Sequence, residues 1–200
     1  LINVIGFAVA LALTKKIKGT NLFRTVFFMP NLIGGLVLGY VWQLLLNGIL
    51  AQFQRNLKYS EVYGFVGLVI LMCWQQIGYM MIIYISGIQN IPGELIEAAK
   101  IDGATNMQVF LKINLPLSRP IIVYTALTSF TWPWSDFILP KLLLKEKDLY
   151  TVAVGLMSLD ETEFARFAAG SVFIAVPIVL LYFCLVKDMV DGMASGAVKG

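Results

Sequence analysis

Glu97-Ala98-Ala99-Lys100-Ile101-Asp102-Gly103-Ala104, with nine residues between the glycine and a following Ile113-Asn114-Leu115-Pro116, decides how this chain is read. It is a charged insert between segments that are otherwise almost wholly apolar. Pro92 suits the first turn of a helix, because its missing N–H would be unpaired there anyway. Glu94 and Glu97 place negative charge near that N-terminus, where the helix dipole favours it. Leu95, Ile96, Ala98, Ala99 and Ile101 then supply helix formers and a mixed apolar face. Gly103 fits a C-terminal position with positive φ, which ends the helix at low cost. Thr105-Asn106-Met107-Gln108 has the form of a capping box, so a second helix is expected to begin there. Pro116 is expected to stop it. The small side chains of Ala98 and Ala99 let a helix seat closely in a groove, while Glu97 can meet a basic residue at the rim. Such a loop offers a surface to something outside the membrane.

The composition around this insert points to a lipid solvent. The 200 residues are 58% hydrophobic and 14% charged, with a mean hydropathy of +0.80, whereas soluble domains carry about a quarter charged residues. The chain has no histidine, which removes the commonest general base and the commonest metal ligand. No catalytic residue and no metal site is expected. Cys73 and Cys184 lie far apart inside apolar runs and read as small buried hydrophobes, not a disulfide framework. No G-x-x-x-x-G-K-[ST] phosphate loop occurs, so any ATP that powers this protein must be bound by another chain. The net charge of +3 is too small to argue for nucleic acid.

Four apolar runs are long enough to cross a hydrocarbon core, which takes about 20 helical residues: 26–46, 64–87, 121–139 and 167–186. A fifth run, 1–13, is too short, and since the chain begins with Leu it reads as the truncated first helix of a longer protein. Helices are expected throughout, because backbone groups in lipid must be satisfied within the segment and the two-residue alternation of barrel strands is missing. Interruptions are expected at Pro30-Asn31 with Gly34-Gly35, and at Trp132-Pro133-Trp134. Five crossings put Lys15, Lys16, Lys18, Arg24, Lys100, Lys112, Arg119, Lys187 and Lys199 on one side, nine of the fifteen basic residues. By the positive-inside rule that side, which holds the loop 88–120, is cytoplasmic. The whole of 1–200 reads as one membrane domain.

The spacing E-A-A, three residues, Gly, nine residues, I-x-L-P resembles the signature loop of the permease subunits of binding-protein-dependent ABC importers. Other segments extend the likeness over nearly the whole chain. Asn21-Leu22-Phe23-Arg24 leading to Phe27-Phe28-Met29-Pro30, and Ser86-Gly87-Ile88-Gln89-Asn90-Ile91-Pro92-Gly93-Glu94-Leu95, are similar to stretches of sugar-importer permeases. Phe130-Thr131-Trp132-Pro133-Trp134-Ser135-Asp136-Phe137 resembles their F-x-W-x-W-N-D-F segment, with Ser135 where Asn is commoner. Leu149-Tyr150-Thr151-Val152-Ala153-Val154-Gly155-Leu156 matches a further pattern loosely. The resemblance implies an all-α, polytopic membrane helix bundle of the type I importer kind, in a bacterial or archaeal cytoplasmic membrane. It implies that Glu97, Ala98, Ala99, Asp102, Gly103, Ile113, Leu115 and Pro116 couple the protein to an ATP-binding cassette ATPase dimer. ATP and Mg would be bound there, so this chain would carry no cofactor and would not itself be an enzyme. The remaining implied partners are a second permease subunit, an extracytoplasmic solute-binding protein and the lipid bilayer. Gly196-Ala197-Val198-Lys199-Gly200 looks like the tail of one of the two permease halves, but the earlier segments resemble the other half as well.

Polar groups inside membrane helices are expensive and often functional. Gln75, Gln76, Tyr79, Thr128, Trp132 and Ser135 are the candidates for a substrate path, since neutral amides and hydroxyls beside aromatic faces suit an uncharged polyhydroxylated ligand. Ser, Thr and Gln also bind helices to one another, and Trp and Tyr gather at interfaces. Asp136, near the end of its run, reads as a capping or interfacial residue. The alternatives that remain are an importer of a non-sugar solute, an ion-coupled carrier and a non-transporting membrane scaffold. An ion-coupled carrier would use intramembrane charges and repeated halves; Asp136 is the only ionisable residue inside these runs, and no repeat is visible.

Overall fold

The computed structural model describes residues 1–14, 18–57, 60–159 and 161–197. The basic residues Lys15, Lys16, Lys58 and Lys199, and the tail beyond Ala197, lie outside them. Every regular element among the described residues is helical. In chain order they are α1 (Ile2–Thr14), α2 (Thr20–Phe28), α3 (Gly35–Ala51), α4 (Glu61–Gln89), α5 (Gly93–Ile101), α6 (Asn106–Val109), α7 (Leu115–Leu117), α8 (Arg119–Ser135), α9 (Ile138–Leu143), α10 (Val152–Leu156) and α11 (Phe164–Ala197). Two of them, α4 and the 164–187 part of α11, are long and apolar enough to cross a membrane. The 13 residues of α1 reach about 20 Å, short of a hydrocarbon core of about 30 Å.

α4 is the axis of the bundle. Its 29 residues rise about 43 Å, and it contacts α1, α2, α8 and α9. Glycines let its neighbours close in. A Cβ on Gly78 would lie 1.8 Å from the Phe27 carbonyl oxygen, so α2 crosses α4 backbone against backbone there. Two separate hydrophobic cores form along its length. One gathers Leu38, Leu68, Leu71, Leu139 and Leu143 from α3, the first half of α4, and α9. The other gathers Ala10, Leu13, Met80, Met81, Tyr84 and Ile85 from α1 and the second half of α4. The second core carries a polar chain, buried at its start and half-buried beyond, in which the Thr125 hydroxyl donates to Tyr84 Oη (2.7 Å), Tyr84 to Asn3 Oδ1 (3.2 Å), and Asn3 Nδ2 to Ser129 Oγ (2.8 Å). Arg24 donates to the Leu13 carbonyl at 3.0 Å, a cation where the C-terminal end of α1 favours one.

Both runs expected to be interrupted are broken, the first where the sequence places the break and the second elsewhere. The run 26–46 is not one helix: α2 and its following turn meet α3 at 106°. Pro30 is fully buried and has no N–H to offer. Asn31 gives its side-chain amide to the Gln75 carbonyl (3.0 Å), and Ile33 is extended at φ −96 and ψ 131. The run 121–139 also divides, but not at Trp132-Pro133-Trp134, because Pro133 lies inside α8. The chain leaves the helix at Asp136, with ψ 128, whose carboxylate accepts the Ile138 N–H (3.1 Å). That local bond competes with continuation of the helix.

Candidate functional site

The loop between α4 and α8 is built as two capped helices around one tight turn. α5 ends in a Schellman arrangement: Ala104 N–H bonds the Ala99 carbonyl (2.9 Å) and Gly103 N–H the Lys100 carbonyl (3.1 Å), with Gly103 at φ 81. Both bonds satisfy carbonyls that a helix end otherwise leaves open. Immediately after, Thr105 N–H donates to Gln108 Oε1 (2.8 Å) and Gln108 N–H to Thr105 Oγ1 (3.3 Å). The capping box read from the sequence is therefore formed. Thr105→Val is expected to cost about 1 kcal/mol, seen as roughly fivefold faster amide hydrogen exchange at Met107 and Gln108.

Two local readings shift. Pro92 is the cap residue and not the first helical one, since α5 begins at Gly93. Pro116 does not stop the second helix, which continues to Leu117. A π-helical turn over Phe110–Asn114 precedes the proline, and Leu115 N–H reaches back to the Phe110 carbonyl. That wider turn absorbs the missing proline donor, and the stretch ends at Ser118.

The loop presents some of its apolar side chains outward, although Val109 is buried. Ile101 is 86% exposed and Met107 65%, while Glu97, Ala98, Asp102 and Gly103 are exposed around them. A shallow hollow of about 290 Å³ between α5 and α6 is lined by Ala99, Asp102, Gly103, Gln108, Lys112 and Ile113, among others. Ala99, Asp102, Gly103 and Ile113 therefore meet at one hollow; Glu97 and Ala98 lie on the outer surface, and Leu115 and Pro116 in the following segment. Ile101 and Met107 were not singled out as contact residues from the sequence. The signal was there in Ile101, a branched apolar residue between Lys100 and Asp102 at a helix end.

A second feature lies where both chain breaks meet α4. A cleft of about 230 Å³ is lined by Gly35, Gln75, Gln76, Trp132, Ser135 and Asp136, together with Met72, Ile138 and Leu139. Gln76 is only 2% exposed, and its Oε1 has no hydrogen-bond partner. Ser135 Oγ is committed to the Thr131 carbonyl (2.8 Å). Tyr79 sits behind the cleft with its ring 4.5 Å from that of Trp132 and its hydroxyl 3.1 Å from that of Tyr124. Thr128 stands apart, its hydroxyl donating to the Tyr124 carbonyl at 2.7 Å. Of the six expected path residues, the cleft brings four together, Tyr79 backs it, and Thr128 is internal to α8. Among the described residues no His, Cys, Asp or Glu cluster could hold a metal.

A bundle that is all-helical among the described residues, with membrane-length apolar helices and an outward-facing charged loop, defines a class: a component of a membrane. The chain belongs to the family of binding-protein-dependent transport system inner membrane components, which it matches over residues 2–192. It is 43% identical over 131 residues to a probable starch degradation products transport system permease protein, AmyD, of Thermoanaerobacterium thermosulfurigenes, covering 60% of this chain and 44% of that protein. The maltodextrin transport system permease protein MalD of Streptococcus pneumoniae is 35% identical over 188 residues, covering 92% and 62%. The galactooligosaccharides transport system permease protein GanQ of Bacillus subtilis is 31% identical over 192 residues, covering 92% and 63%. Each match thus takes in less than two thirds of the relative's length.

Proposed function

We propose that this protein is a permease subunit of an ATP-driven sugar importer, a multi-pass protein of a bacterial or archaeal cytoplasmic membrane. Residues 1–200 form one transmembrane domain with the loop 88–120 on the cytoplasmic side. That loop docks on an ATP-binding cassette ATPase dimer, which binds ATP and Mg and hydrolyses the nucleotide. A second permease subunit completes the path, and an extracytoplasmic solute-binding protein delivers the solute. The observation that carries this reading is the loop itself. A Schellman turn and a capping box back to back make a stiff lever, and exposed Ile101 (86%) gives it an apolar tip. The hollow beside Ala99, Asp102, Gly103 and Ile113 adds a shape a partner side chain can enter, with Glu97 and Ala98 on the approach and Leu115 and Pro116 carrying movement on to α8. The oligosaccharide permeases among the relatives support a sugar as the solute.

Ile101→Asp tests the docking. The full-length protein co-purifies with its ATPase on this reading, and the aspartate variant loses the ATPase while still inserting in the membrane. Retention of the ATPase and its stimulation by Ile101→Asp refutes the docking surface.

The cleft suits the solute path. Gln75 and Ser135 border it, and the Trp132 face, backed by Tyr79, covers an apolar ring surface. The Gln76 carbonyl, unpaired but buried in this conformation, accepts from a sugar hydroxyl when the cleft widens, and Thr128 holds α8 in shape. At about 230 Å³ the cleft falls below the roughly 300–1,000 Å³ of ordinary ligand pockets, so it covers one sugar ring at a time. A buried unpaired carbonyl costs about 1–3 kcal/mol. Gln76→Leu is therefore expected to leave thermal stability equal or higher while lowering uptake; lower stability with unchanged uptake would assign Gln76 to structure alone.

A further inference from the structure

The cleft lies at a waist between the two hydrophobic cores, and the chain is broken at that waist in two places. α2 passes into α3 through Ile33-Gly34-Gly35, and α8 into α9 through Asp136-Phe137. Gly35, Asp136 and Ile138 at these breaks all line the cleft. α4 runs unbroken from one core to the other, with Gln75 and Gln76 at the level between them.

Side-chain hydrogen bonds gather on either side of the waist. In the first lobe, Trp42 Nε1 donates to the Gly67 carbonyl (2.9 Å) and Gln43 Nε2 to the Leu142 carbonyl (3.1 Å). A Cβ on Gly39 would lie 2.5 Å from Leu142 Cδ1, so α3 and α9 are pressed into one unit. In the second lobe, the Thr125–Tyr84–Asn3–Ser129 chain ties α8, α4 and α1 together, and Asn31 fixes the turn after α2 to α4.

Within this chain neither a packing contact nor a positive φ requires glycine at 34 or 35, as is also true of Gly48, Gly93 and Gly155. What sets 34 and 35 apart is their place at the break between α2 and α3. Gly34 has φ −56 and ψ 135, which any L-residue can adopt. A Cβ at either position would meet nothing within 4 Å. The freedom that distinguishes glycine is unused in this conformation, whereas at Gly39 and Gly78 it is required by contact.

We propose that the two lobes pivot about the middle of α4, with Ile33–Gly35 and Asp136–Phe137 as paired hinges, and that the pivot opens and closes the cleft. The role of the pivot in transport rests on the reading of the cleft as the solute path. A hinge needs a few residues at element ends that absorb the backbone change, and both breaks are such places. The two hinges bound the same α3–α9 unit, so turning one without the other would tear its packing.

Gly34→Pro tests the hinge without distorting this conformation. Proline fixes φ near about −65°, close to the observed −56. Ile33, at φ −96 and ψ 131, already has the extended backbone that a residue before proline prefers. In the assembled full-length transporter, with Cys73 and Cys184 replaced by serine, spin labels at Phe23 and Leu44 report the distance between the lobes. The distance distribution is expected to shift between the nucleotide-free and ATP-trapped states. In Gly34→Pro the shift is lost and uptake falls about tenfold or more, as when a required state leaves the accessible ensemble; Gly34→Ala keeps both. A working transporter whose label pair does not move overturns the pivot, as does Gly34→Pro with wild-type uptake. The labels read the pivot whether or not solute is carried. A pair that moves in a complex with no uptake therefore refutes the transport reading and leaves the pivot standing.

Discussion

Gly103→Pro is expected to abolish ATP-driven uptake while leaving the membrane helices inserted. Gly103 sits at φ 81, and proline cannot leave about −65°. The substitution also deletes the N–H that bonds the Lys100 carbonyl at 3.1 Å. The Schellman turn therefore cannot form, and α5 is released from the capping box that follows. A Cβ on Gly103 would meet nothing within 4 Å, so the damage is confined to the turn and does not spread through packing. Gly103→Ala provides the graded comparison, because a left-handed backbone costs an ordinary residue about 1–2 kcal/mol. Uptake in the alanine variant is expected to fall part way, measured against membrane-inserted protein in both cases. Equal uptake by wild type and Gly103→Pro would remove the turn from the mechanism.

Gly78→Ala is expected to be the most destabilising single-methyl change in the bundle. Its Cβ would stand 1.8 Å from the Phe27 oxygen and 2.6 Å from the Phe27 carbonyl carbon. Both are backbone atoms, so no side chain can swing aside. Overpacking typically costs 1–3 kcal/mol, and relief here requires α2 to move away from α4, which puts the cost at about 3 kcal/mol or more. Movement of α2 would also pull the Asn31 amide from the Gln75 carbonyl at the edge of the cleft. Gly48→Ala in α3 carries the opposite sign: with open space around it, the helix gains about 0.5–1 kcal/mol. Thermal unfolding in detergent of the two variants beside wild type checks both signs.

The loop was legible in the sequence because its instructions are local. Gly103, Thr105 and Gln108 act through backbone bonds within five residues, so spacing alone specifies the turn and cap. The class of the fold was legible for a similar reason, since long apolar runs leave the backbone few choices. The broken helices were less so. Pro30 with Gly34-Gly35 marked the first break, but the 106° angle depends on Asn31 meeting a carbonyl 44 residues later. At the second break Pro133 drew attention that belonged to Asp136, because a proline within α8 is tolerated and an aspartate that captures a nearby N–H is not a breaker by type alone. The cleft was visible only as a set of polar residues. That Gln75, Gln76, Trp132 and Ser135 share a wall while Thr128 does not follows from helix packing, which no local pattern encodes.

Uptake of a panel of labelled oligosaccharides into proteoliposomes tests whether this subunit carries solute at the expense of ATP. The vesicles would hold the full-length protein with its second permease and ATPase, and the solute-binding protein would be supplied outside with ATP enclosed. Uptake is expected to require ATP and to be lost in Gly103→Pro with the complex still inserted. Uptake that proceeds without ATP, or unchanged uptake in that variant, would contradict ATP-driven carriage by this subunit.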